Sequence, residues 1–278
     1  PDSQRRPQSA QEFLRRLAEV EQAWRRQETD DDAIKDPTLA HPGDLVAPGC
    51  VLQRKLGQGS SSIAFLVKNQ QEEELVLKVS RGPGEERLMQ EAEILQVLHD
   101  KSSGPTCKKI VELRGLVQWS ERKGLLLTSA GSETLSERLA NKGPVGLELL
   151  KRFGDDLLEM VEFLEKKGMA HRDIKPSNLG VRPMGKNAQL HLTLFDFSLA
   201  REDRRKVEAG TPGYRDPFLS TTRPWDEAAE RFAAAVTLYE MCTTRLPQWG
   251  DGRVSPNLIE GIEVRLESGD FEPDLHDE

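Results

Sequence analysis

The sequence predicts an α+β chain, strand-rich in its first part and mainly helical in its second. Short apolar runs at 51–56, 63–67 and 75–79 are separated by turn or charged residues, as hairpin strands are. Longer stretches at 147–167 and 228–241 carry apolar residues at helical spacing. A chain of 278 residues, 36% apolar and 31% charged, is long enough to bury a core without staples. At about 150 residues per domain it holds one or two domains.

The elements follow in order. Residues 8–27 read as one packing helix: Ser9 and Glu12 form a capping-box pattern, and Phe13, Leu14, Leu17, Val20 and Trp24 share a face. Residues 28–48 are acidic, proline-bearing and poor in apolar side chains, a linker signature. Within 49–130 the three strands precede a helix at 86–98, where Leu88, Ile94, Leu95 and Leu98 recur helically. Strands return at 110–117 and 125–127. Within 131–278, the helix at 147–167 carries Leu149, Leu150, Phe153, Leu157, Leu158, Val161 and Leu164, a face expected to be buried. Short strands at 179–181 and 190–195 separate it from the helix at 228–241, which is apolar nearly all round and so central. The polar stretch 252–278 offers one short helix near 257–266.

Composition excludes several classes. Cys50, Cys107 and Cys242 are odd in number and widely spaced, so they suggest no disulfide framework and no zinc cluster. That fits a reducing, cytoplasmic setting. No apolar run approaches the ~18 residues a membrane span needs, and no secretory leader pattern is present. A net charge of −8 argues against bulk binding of nucleic acid or anionic membrane. The first residue is Pro1, which suggests a processed chain or a segment of a longer one.

Several constellations carry chemistry. Gly57-Gln58-Gly59-Ser60-Ser61-Ser62 joins strand to strand. Its glycines suit a hairpin bulge, or a turn whose backbone approaches phosphates. The next strand closes on Lys78, and thirteen residues later Glu91 sits on an otherwise apolar helix face. A Lys–Glu pair there would orient a point charge. The strongest string is His171-Arg172-Asp173-Ile174-Lys175-Pro176-Ser177-Asn178, followed eighteen residues after Asn178 by Asp196-Phe197-Ser198. Asp and Asn offer hard oxygen ligands for Mg²⁺ bound with phosphates, and a second Asp can accept a hydroxyl proton.

Taken together, residues 49–278 resemble a eukaryotic-type protein Ser/Thr kinase domain, whose motifs appear in the right order. The resemblance implies a bilobal fold, with a small antiparallel sheet and one helix at 49–130 and a mainly helical lobe at 131–278. It implies ATP and Mg²⁺ as cofactors and a protein as substrate. Gly57, Gly59 and Ser60 would cover the nucleotide. Lys78 would hold its phosphates and be held by Glu91, preferred to Glu93 because Ile94-Leu95 follow it at the family spacing. Leu127, Thr128, Ser129 and Ala130 would form the adenine-binding linker between lobes. Asp173 would receive the substrate proton, with Lys175 and Thr211 beside it. Asn178 and Asp196 would ligate the metal.

Departures from the family pattern are Ser62 for the third glycine, Ser198 after Phe197, Asp216-Pro217-Phe218 where Ala-Pro-Glu is usual, and Glu230 for a helical aspartate. The third of these removes a familiar Glu–Arg pair. None removes a chemical group, so an active enzyme is favoured over a nucleotide-binding pseudokinase scaffold, and both over a small-molecule phosphotransferase. The activation segment, residues 196–217, has hydroxyls only at Ser198, Thr211 and Tyr214. Arg172, which would normally answer a phosphate there, is expected to meet an acid such as Glu208, or simply backbone or another surface acid.

The phrases around Phe197-Ser198, 210–219, 228–241 and Trp249-Gly250-Asp251-Gly252 are similar to PglW-type kinases of BREX phage-defence systems. These are long proteins, so other domains of a longer chain are expected partners. The helix at 8–27 would then close a preceding domain. The last helices of the second lobe are not visible in the sequence, so an exposed apolar patch beside the helix at 228–241 is expected.

Overall fold

A computed structural model describes residues 34–59, 61–119, 122–251, 256–258, 262–265 and 271. The helix expected at 8–27, the opening of the linker and Ser60 lie outside the described residues.

Six strands form one antiparallel sheet in the order β1-β2-β3-β4-β6-β5. They are β1 (Leu45–Ala47), β2 (Cys50–Gln58), β3 (Ser62–Asn69), β4 (Glu74–Ser80), β5 (Leu113–Trp119) and β6 (Arg122–Thr128). Helix α1 (Glu85–His99) packs on it between β4 and β5 in the sequence. Alternation along β4 sets its two faces. Leu75, Leu77 and Val79 enter the sheet's own core, while Val76 packs with the cluster that α1 shares with the helical lobe.

Strand β1 was not expected. The stretch read as linker is, from residue 34, folded onto the sheet. Pro48-Gly49 turns the chain so that Ala47 faces Cys50 and Leu45 faces Val51. Lys35 N–H donates to Leu45 O at 2.9 Å, and Trp119 Nε1 donates to Val46 O at 2.9 Å. Val46 and Ala47 are fully buried. Three apolar residues among many polar ones are too short a run to show periodicity.

The second lobe holds β7 (Glu133–Thr134), α2 (Leu135–Lys142), α3 (Leu147–Lys166), β8 (Leu179–Met184), β9 (Gln189–Leu194) and α4 (Glu227–Thr243). Helix α2 begins at a capping box, in which Thr134 and Glu137 satisfy each other's backbone N–H. Asp226 caps α4 by accepting from Ala229 N–H. Helices α3 and α4 pack together, and Val145 N–H donates to Met241 O at 2.7 Å. Where a helix was expected near 257–266, the described residues show a 3₁₀ turn at Pro256–Leu258 and then β11 (Val264–Arg265), which pairs with β10 (Gln248–Trp249). Beside α4, Trp249 stacks on Phe232, while Phe218 and Leu246 are exposed.

Two turns set the position of residues 171–178 and 194–196. Helix α3 ends where Gly168 takes a left-handed φ of 65° and Met169 N–H returns to Leu164 O. The chain then runs directly into residues 171–178. The β8–β9 hairpin brings the two ends of the site together: Leu179 faces Leu194, and Phe195 N–H donates to Asn178 O at 3.1 Å. Strand β8 also lies tight against the interlobe linker, where a Cβ on Gly180 would stand 2.3 Å from Ala130 O. Gly180→Ala is expected to lower stability by about 1–3 kcal/mol. Denaturant unfolding measures this, and an unchanged midpoint would contradict the tight approach.

Candidate active site

The site begins with a charge placed by strand alternation. Lys78 lies between Ala64 of β3 and Leu125 of β6, on the β4 face turned toward α1. Its Nζ is 2.5 Å from Glu91 Oε2 and 2.7 Å from Asp196 Oδ1. Glu91 is buried on α1, and its other oxygen accepts Phe197 N–H at 3.2 Å. Glu93 points elsewhere and pairs with Arg201 at 2.6 Å. Burial works against the charge on Lys78, but Glu91 and Asp196 outweigh it and hold the ammonium above its ordinary range. Burial also works against the Asp196 carboxylate, and Lys78 overcomes it, holding that group well below the usual range. The Glu91 carboxyl is pushed up by burial.

A second cluster is built on residues 171–178. Asp173 Oδ1 accepts from Thr211 Oγ1 at 2.7 Å, and its Oδ2 lies 2.7 Å from Lys175 Nζ. Lys175 also donates to Thr211 Oγ1 at 2.6 Å. Asn178 Nδ2 donates to Asp173 Oδ2 at 2.9 Å and to Asp173 O at 2.8 Å. The structure thus brings Asp173, Lys175, Thr211 and Asn178 into one network, beside the Lys78–Glu91–Asp196 group.

Backbone strain sits at the same place. Arg172 has φ 70° and Asp196 φ 68°, left-handed values that are unfavourable for side-chain-bearing residues. The surroundings hold them there. Glu230, buried on α4, accepts from His171 N–H at 2.9 Å and Arg172 N–H at 2.8 Å. It also accepts from Trp225 Nε1 at 3.0 Å. His171 Nε2 donates to Phe195 O at 3.0 Å, and its Nδ1 accepts Asp173 N–H at 3.2 Å. Those two bonds require the neutral ring with its proton on Nε2, and burial pushes its pKa down accordingly.

Around Arg172 the acid singled out in the sequence is not a partner. The guanidinium donates to the backbone carbonyls of Glu202, Asp203 and Lys206 and lies 5.0 Å over the Trp225 ring. Glu208 contributes its carbonyl to Arg215. The expected loss of a Glu–Arg pair is offset locally, since buried Asp216 pairs with Arg223 at 2.8 Å. Sequence reasoning missed Trp225, Arg223, Arg87 and Glu202. The first had a faint signal, a tryptophan in an otherwise polar, proline-bearing loop. The rest look like ordinary surface charges.

Of the other residues expected to meet a nucleotide, Gly57 and Gly59 are exposed, whereas Leu127 and Thr128 are buried. Gly57 lies near the exposed end of β2, opposite Ala64, and Gly59 in the turn that leads to β3. A Cβ on Gly57 would meet nothing within 4 Å, and one on Gly59 only Ser62 O at 3.8 Å. Packing within the protein therefore does not demand glycine here, whereas close approach of a phosphate would. Leu127 and Thr128 end β6, with Leu127 opposite Val76. Thr128 Oγ1 accepts Glu112 N–H at 2.9 Å, Ser129 Oγ accepts Gly131 N–H at 3.2 Å, and Ala130 lies against Gly180.

A small antiparallel sheet with one helix, a helical second lobe, and charged residues gathered from a strand and a helix of the first and from loops of the second define the bilobal phosphotransferase class. The chain belongs to the protein kinase domain family, whose model matches residues 50–271. It is 37% identical over 260 residues to Probable kinase PglW of Streptomyces coelicolor, covering 84% of this chain and 16% of that protein. It is 26% identical over 219 residues to the serine/threonine-protein kinase PkaA of the same organism, covering 73% of this chain and 40% of that protein. The serine/threonine-protein kinase AtPK1/AtPK6 of Arabidopsis thaliana is 26% identical over 245 residues, with 83% of this chain and 50% of that protein covered. The chain therefore spans half or less of the length of these relatives.

The neutral, buried His171 gives a pH dependence. Its pKa is depressed on folding, while the unfolded chain titrates near 6.5, so its contribution to stability is present above pH 6.5 and lost as pH falls below it. The melting temperature is expected to drop as pH goes from 6.5 toward about 5.5, and less steeply in His171→Asn. Comparing the two proteins removes the buried acids, which shift the other way. Parallel slopes would contradict this.

Proposed function

We propose that this chain transfers the γ-phosphate of ATP to a serine or threonine hydroxyl of a protein, with Mg²⁺. The observation that carries the reading is the Asp173 network: a carboxylate joined to Lys175, Thr211 and Asn178, next to a lysine held by two carboxylates. The family match and the relatives named serine/threonine-protein kinases support it.

Each residue has a role that its position supports. Gly57 and Gly59 let backbone N–H groups approach the phosphates. Lys78 presents a fixed positive charge to them, aimed by Glu91. Residues 127–130 form the linker against which adenine would lie. Asp173 orients the substrate hydroxyl and accepts its proton, while Lys175 and Thr211 fix the carboxylate's direction and meet the γ-phosphate side. Asn178 and Asp196 fit a hard cation. Asn178 spends its Nδ2 protons on Asp173, which leaves its Oδ1, and Asp196 is held ionised. When bound, Mg²⁺ neutralises phosphate charge and holds the phosphates in line for attack.

A pseudokinase reading is disfavoured because none of these groups is missing. The 37% identity to Probable kinase PglW, of which this chain covers 16%, supports a setting within a longer multidomain protein. The resemblance of the phrases at 210–219 and 228–241 to PglW-type kinases supports a role in phage defence as part of the same proposal.

With Mg-ATP and casein as a generic acceptor, Asp173→Asn is expected to lower kcat by about 10²–10⁴-fold, with its thermal melt unchanged. Equal transfer by variant and wild type would overturn the reading. Lys78→Met is expected to raise the KM for ATP and lower kcat together, measured by initial rates across ATP concentrations.

A further inference from the structure

Phosphate on an activation segment ordinarily does two things: it neutralises the arginine before the catalytic aspartate, and it ties the segment to neighbouring elements. In this chain residues 199–210 contain no hydroxyl to carry it. The hydroxyls at the segment's ends are engaged. Thr211 is bonded to Asp173 and Lys175, Tyr214 donates to Glu240, and Ser198 bonds to Asp196.

A different anion stands at the junction. Glu202, mostly buried at 17% side-chain exposure, has Oε1 2.6 Å from Arg87 Nη2 and Oε2 3.0 Å from Lys206 Nζ. Its backbone carbonyl accepts from Arg172 Nη1. One residue thus reaches the catalytic loop through its backbone and α1 through its side chain. Arg87 lies one helical turn before Glu91, on the same face of α1. The tie therefore acts beside the residue that aims Lys78. Its neighbour Arg201 grips α1 a second time, through Glu93 at 2.6 Å.

We infer that Glu202 is a built-in anion that replaces activation-segment phosphate and holds α1, the segment and the catalytic loop in the catalytic arrangement. It is a positioning residue: it touches Arg87, Lys206 and Arg172 rather than any reacting atom. The inference rests on the phosphotransfer reading above, so Asp173→Asn is carried as the control that fails with that reading.

The test uses phosphatase-treated chain and initial rates of casein phosphorylation with Mg-ATP. Wild type is expected to keep its kcat after treatment, to within about twofold. Glu202→Gln, which keeps the shape and removes the charge, is expected to lower kcat about tenfold or more, with the melting temperature unchanged. Arg87→Met, on a side chain partly open to solvent, is expected to do the same. The double variant should be no worse than either single, because both remove one coupling. Glu202→Asp should restore part of the rate. Wild-type kcat in Glu202→Gln, additive losses in the double variant, or a tenfold loss on phosphatase treatment of wild type would each overturn the inference. A wild-type rate no higher than that of Asp173→Asn would overturn the phosphotransfer reading itself.

Discussion

The buried contact of Lys78 with Glu91 and Asp196 is the constraint on which the site depends. One ammonium draws together a sheet, a helix and a loop of the second lobe, at 2.5 and 2.7 Å. Lys78 and Glu91 would each be costly to bury alone, so they are stable only in company, with the partly exposed Asp196 as the third member. Removing Glu91 would leave Lys78 aimed at Asp196 alone, and removing Lys78 would leave two carboxylates facing each other. The left-handed backbone at Asp196 is tolerable because both ends of the turn are held: Phe195 N–H by Asn178 O and Phe197 N–H by Glu91.

The places where this chain leaves the family pattern share a physical theme, in which an interaction is rebuilt from nearby residues. Glu230 is longer than the expected aspartate, yet it still accepts two catalytic-loop N–H groups, and Trp225 Nε1 adds a bond to the same oxygen that meets Arg172 N–H. Asp216 finds Arg223 within its own segment. Arg172 finds three carbonyls and an aromatic face. The rebuilt partners come from the chain between residues 200 and 231, while the segment itself is also tied to α1 through Glu202–Arg87 and Arg201–Glu93.

Much of this was legible in the sequence where periodicity or motif spacing was long enough to read. The core strands, α1, α3 and α4 lie within a few residues of their expected spans. Glu91 rather than Glu93 meets Lys78, as the following Ile94-Leu95 implied. What escaped was short or non-local. Strand β1 has only three residues. Helix α2 is eight residues long, and its signal lay in the Thr134–Glu137 capping box rather than in an apolar stripe. The β10–β11 pair joins two strands of only two residues each, too short for any local pattern to announce. Glu202 and Arg87 are 115 residues apart, and nothing in either neighbourhood distinguishes a bridging charge from a solvated one.

The central claim is that Lys78 and Glu91 act as one unit in positioning ATP. A double-mutant cycle on kcat/KM for ATP with Lys78→Met and Glu91→Gln tests it most directly. If the pair is one unit, each single variant loses most of the activity and the double variant loses little more. If the losses multiply instead, the two residues act independently and the account is wrong.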